Sequence, residues 1–162
     1  MPSYRTPGVY IEEIPSGPRE IEGLPTGSAA FVDVFADGPL ESPVKVSSLS
    51  LFEAQFGKGN TRPASHALCD FFANVGREAC LVRVADSGVA ALRRVMQALA
   101  PEHSFNILCL PCAAELPDAD LRAVYAAALE LCASRRAFLI IDIPATVNTP
   151  DAMLAWLEKH SE

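Results

Sequence analysis

The chain has 162 residues, half apolar and a fifth charged, enough for one domain with a real core and unlike a disordered chain. A formal charge of −7 and a pI near 4.9 argue against nucleic acid and anionic lipid as partners, because both ask for a positive field. No apolar run approaches the roughly 20 residues of a bilayer span, and no charged start with an apolar core marks a secretion signal, so use in the cytoplasm without direct membrane insertion is expected.

The first element in chain order is a leader. Within it "PGVYIEEI" alternates apolar and polar residues as a strand does, yet Pro7, Pro15, Pro18 and Pro25 with Gly8, Gly17 and Gly23 isolate it from the rest of the chain. Residues 1–26 therefore read as an extended arm and Pro/Gly-rich tether, and residues 27–162 as an α/β core. "GSAAFVDVFA" (27–36) is a predicted strand with Phe31 and Phe35 on one face and Val32 and Val34 on the other. Asp33 shares the Phe face, so that face or its end is expected to be incompletely dry. "DGP" (37–39) is a turn, "PVKV" (43–46) a short edge strand, and "SLSLFEAQFG" a helix with Ser47 or Ser48 as N-cap and Gly57 as its stop.

A loop (57–63) leads to "RPASHALCDFFANVG", a helix with Pro63 in its first turn that ends at Gly76 and buries Ala67, Leu68, Phe71, Phe72 and Val75. "ACLVRVA" (79–85) is β-rich, "VAALRRVMQAL" helical, and "FNILCLP" (105–111) a buried strand ended by Pro111. "DADLRAVYAAALELCASRR" is a long helix capped by Asp118. "AFLIIDIP" (137–144) is a third buried strand, and "TPDAMLAWLEKH" a helix with Thr149 as cap and Pro150 at its first position. Short apolar strands alternating with helices define an α/β fold with a parallel or mixed sheet flanked by helices.

Chemistry-bearing motifs are sparse. Cys109 and Cys112 have the spacing of a redox or zinc half-site, but a second CxxC and a nearby His are missing and the pair lies on a strand, so structural packing is the expected role. The five cysteines, an odd number in apolar settings, read as reduced thiols. "FGKGNT" fails the phosphate-loop spacing, since Lys58 falls between Gly57 and Gly59. Ser65, His66, Cys69 and Asp70 share one short helix and cannot converge as a triad, and the adjacent strand residues Glu12 and Glu13 face opposite ways. No catalytic residue, cofactor or metal site is expected.

Taken together, "PGVYIEEIPSGPREIEGLPTGSAAFVDVFADGPLESPVKVSSLSLFEAQFG" and then "ALCDFFANVGREACLVRV" resemble the N-terminal part of contractile tail sheath proteins of tailed phages and phage-derived injection particles. "FNILCLP" and "FLIIDIP" match more loosely. Asp33 stands where the family usually has a small residue. The family's Tyr-Pro-Trp-like and Pro-Pro-Ser-Gly-like stretches and its C-terminal arm have no counterpart here, so the C-terminal part of the family fold is expected to be absent, the chain being either the front part of a longer protein or a short relative.

The resemblance implies a subunit that stacks in a helical array around an inner tube above a baseplate. It also implies that neighbours are linked through strand addition by Gly8, Val9, Tyr10, Ile11, Glu12 and Glu13, with no enzyme activity and no cofactor. The physics of the leader points the same way. An added strand gains main-chain hydrogen bonds, with pockets for Val9 and Ile11 on one side and Tyr10 on the other. Burying two such side chains contributes roughly 3–6 kcal/mol before ordering costs. Two alternatives stay open: a first edge strand of the chain's own domain, and a small α/β enzyme or ligand-binding module using the loops at 86–87, 111–114 and 144–148.

Overall fold

The computed structural model describes residues 27–74, 76–102 and 104–160. Its elements run β1 (Ala29–Asp33), β2 (Val44–Val46), α1 (Leu49–Phe56), α2 (Pro63–Ala73), β3 (Ala79–Arg83), α3 (Val89–Leu99), β4 (Ile107–Cys109), α4 (Asp118–Arg135), β5 (Phe138–Ile140) and α5 (Pro150–His160). The five strands form one mixed sheet in the order β2-β3-β1-β4-β5. All neighbours are parallel except β2, which runs antiparallel to β3 at the edge. The fold is α/β, as the alternation of strands and helices predicts.

Two core clusters lie on the two faces of this sheet. On one, Phe31, Phe35 and Leu81 meet Phe52 and Phe56 of α1 and Leu68 of α2. There the Phe35 ring sits 5.6 Å from Phe52 and 5.2 Å from Phe56, both edge-on. On the other face Val32, Val82 and Leu108 pack against Leu92, Val95 and Leu99 of α3 and Leu121, Val124 and Ala128 of α4. The two-residue alternation read in β1 is thus the division between the clusters.

Most start and stop signals stand where the sequence places them. Ser48, not Ser47, caps α1, its Oγ accepting from the Leu51 amide at 3.2 Å. Gly57 ends that helix with φ +92°, and Gly38 takes φ +101° in the predicted turn, 2.8 Å being all that would separate an added Cβ from the Phe56 ring. Pro63 opens α2, and Thr149 Oγ1 accepts from Ala152 at the start of α5. Asp118 is not a cap. Pro117 holds that position, and Asp118 is the first helical residue, where its charge still suits the helix dipole. The second helix ends at Ala73 with Asn74 as its cap, short of Gly76.

The predicted strand 105–111 is shortened to β4, because Pro111 starts a 3₁₀ turn, Pro111–Glu115. The predicted buried strand 137–144 is corrected further. β5 spans three residues at the sheet edge, and Phe138 is 77% exposed. The reason is positional: among the described residues β5 has one strand neighbour, and the cluster under α1 and α2 reaches across the sheet as far as Ile107 and Cys109 of β4 but includes no residue of β5.

Candidate functional site

The predicted interface residues Gly8, Val9, Tyr10, Ile11, Glu12 and Glu13 lie outside the described residues. Among the described residues there is no group of three His, Cys, Asp or Glu placed to hold a metal. The two thiols of "CLPC" are assigned to different core clusters, Cys109 to the one under α1 and α2, Cys112 to the one under α3 and α4. Burial pushes both thiols up to about 12, so neither is a ready thiolate. His66, Cys69 and Asp70 are exposed on the outer side of α2, and Cys69 departs from the apolar setting expected of all five cysteines.

Two places hold polar or apolar features that an ordinary domain would not need. The first is the carboxyl end of β1. Asp33 is wholly buried, which corrects the expectation of a damp strand end. Its carboxylate accepts from Arg62 Nε at 2.9 Å, from the Ala64 amide at 3.0 Å and from the Val34 amide at 2.7 Å. Arg62 reaches on to Glu115 at 3.0 Å. Burial pulls the Arg62 guanidinium down, but hydrogen bonds to Glu115 and Asp33 outweigh that and raise it. The cluster therefore ties β1, the start of α2 and the 3₁₀ turn together, while using up its own hydrogen-bonding capacity.

Beside it an open groove of about 510 Å³ is lined by Pro63, Pro111, Glu115, Asp142 and Thr146, among others. It unites two of the three predicted loops, 111–114 and 144–148. The third does not join them: Asp86 Oδ1 accepts from the Gly88 amide at 2.8 Å and closes its own turn. Asp142 is pushed up by burial and by the nearby Asp33 charge, and the groove's one adjoining cation, Arg62, is already shared by two carboxylates. The arrangement ties these loops to β1 and the start of α2.

The second place is the β5 end of the molecule. Of nine large apolar side chains left exposed among the described residues, all but Leu40 and Leu51 belong to α4, β5, the residue just after it, and α5. No residue of α5 is buried. That helix is tethered at its far end, where Asp118 meets Lys159 Nζ at 2.9 Å and His160 Nε2 at 2.9 Å. Beneath it runs an apolar groove of about 640 Å³ between Tyr125 and Leu129 of α4, Ile141 and Ile143, and Trp156 and Leu157. An apolar margin of this kind on a charged chain is the signature of a surface that is covered in use. Sequence reasoning missed it because the run "FLII" reads equally well as a central strand.

The chain shares its fold with solved chains of the anti-feeding prophage. A chain in the cryo-EM structure of its helical sheath in the contracted state matches with a TM-score of 0.57 at 24% identity, over 91% of this chain and 43% of that one. A chain of its baseplate in the contracted state matches with a TM-score of 0.54 at 19% identity, over 84% of this chain and 39% of that one. The chain thus spans about two-fifths of the length of the solved chains it matches. No protein-family model and no curated protein matches it.

Proposed function

We propose that this chain is a structural subunit of a contractile, phage-derived particle: the front part of a sheath subunit that polymerises around an inner tube and contracts to drive it through a target envelope. The observation that carries the reading is the fold shared with a helical sheath chain over 91% of this chain's length. The leader supports it, as an alternating apolar strand flanked by prolines suited to adding onto another subunit's sheet. Its partners are other sheath subunits, the inner tube protein and the baseplate, and its role is mechanical, without catalysis or cofactor.

Deleting residues 1–20 is the test. The full chain is expected to form rings or curved strings in negative-stain micrographs at high concentration, and the truncated chain to lose them while unfolding cooperatively at the same temperature. Loss of folding on truncation would assign the leader to the chain's own domain. A full chain that stays monomeric at high concentration, indistinguishable from the truncated one, would remove the case for the arm.

A further inference from the structure

The topology says where the sheet should grow. The connection from β1 to β3 steps one way along the sheet and carries α1 and α2 on one face; those from β3 to β4 and from β4 to β5 step the other way and carry α3 and α4 on the opposite face. Both sets obey one hand of crossover, as parallel connections do. α5 lies on the α4 side: Lys159 is bonded to Asp118, Arg122 donates to the Lys159 carbonyl at 3.1 Å, and Trp156 packs against the same core cluster as α4. A crossover using a helix on that face steps beyond β5.

The backbone of β5 is ready for such a neighbour. Phe138 donates to the Asn106 carbonyl at 2.8 Å, so Phe138 and Ile140 turn their amides to β4, and Leu139 and Ile141 turn theirs outward. Leu157 of α5 is exposed and lines one groove with Ile141, the residue that follows β5. We propose that the edge of β5 left without a strand neighbour among the described residues is a docking edge for one further parallel strand with apolar side chains on both faces, contributed by the remainder of the larger fold. The matched solved chains, of which this chain spans about two-fifths, have the length to supply it.

The proposal rests on the fold and not on the sheath reading, and its test needs no assembly. The chain is extended after residue 162 by a short Gly-Asn loop and a strand of alternating Val, Ile and Tyr, and amide exchange is measured by NMR on the monomer. The Leu139 and Ile141 amides are expected to exchange freely in the 162-residue chain and to slow at least roughly tenfold in the extended one. Ile141→Pro, which removes the N–H at that position along with the Ile141 side chain, is expected to return the Leu139 amide to free exchange without unfolding the chain. Unchanged exchange in the extended chain overturns the proposal. So does protection already present in the 162-residue chain, by a second copy if it depends on concentration, by the chain's own leader if it is lost on deleting residues 1–20.

Discussion

At the scale of single residues, the informative one is Asp33. A carboxylate with no exposure holds its place because two backbone amides and a guanidinium replace water, and the same bonds start α2 and position the 3₁₀ turn. Asp33→Asn leaves Arg62, a side chain 29% exposed, without its buried counter-charge and is expected to cost about 2–4 kcal/mol in urea unfolding. Asp142 behaves in the opposite sense. Burial raises its folded-state pKa above the ordinary 3.8, so the folded state holds its proton more tightly, and stability falls as pH rises through that interval. Asp142→Asn is therefore expected to raise the melting temperature at neutral pH and to leave it unchanged near about pH 3, where both states are protonated. The thiols give a third check. Cys69 alone is exposed, and burial pushes Cys80, Cys109 and Cys112 up to about 12, so alkylation of the folded chain should label Cys69 and reach the rest only on unfolding. Fast labelling at Cys109 would contradict the packing role.

At the scale of elements, α1 and α5 contrast. α1 is short, yet its Phe52 and Phe56 rings lock onto Phe35, and Arg83 holds the loop before it by donating to the carbonyls of Phe35, Ala36 and Gly38. No residue of α5 is fully buried; Trp156 packs against the core cluster under α4, and the Asp118 pairs tether the helix at its end. Lys159 holds the Asp118 carboxyl below its ordinary range, although burial works slightly the other way. Asp118→Ala is expected to raise amide exchange along α5 while leaving the global unfolding midpoint nearly unchanged, since exposed ion pairs contribute little. A large global loss would show that α5 is an integral part of the core.

At the scale of the molecule, the sheet is well covered at its β2-β3-β1 end and bare at β5. Replacing Phe138 and Ile140 together by Lys is expected to leave the melting temperature within a degree or two and to lower binding of a hydrophobic dye, because Phe138 lies mostly in solvent and Ile140 is half exposed. A fall in stability instead would mean that these residues pack in the monomer. A net charge of −7 opposes self-association through such a margin.

The order and type of the elements were legible in the sequence, because local signals decide them: Ser48 and Thr149 as caps, Pro63 and Pro150 at first helical positions, Gly38 and Gly57 where φ is positive, and the two-residue alternation of β1. The resemblance to sheath proteins was legible too, and it anticipated the fold that the solved chains share. Only the tertiary structure decided which strands stand at the edges and which polar groups meet. β5 is as apolar as β4 but has a neighbour on one side alone. Asp33, an anomaly in its strand, finds Arg62 at a separation of 29 residues, and Arg62 in turn reaches Glu115 across a further 53. Strand order and long-range pairing depend on contacts between distant parts of the chain, which no local pattern encodes.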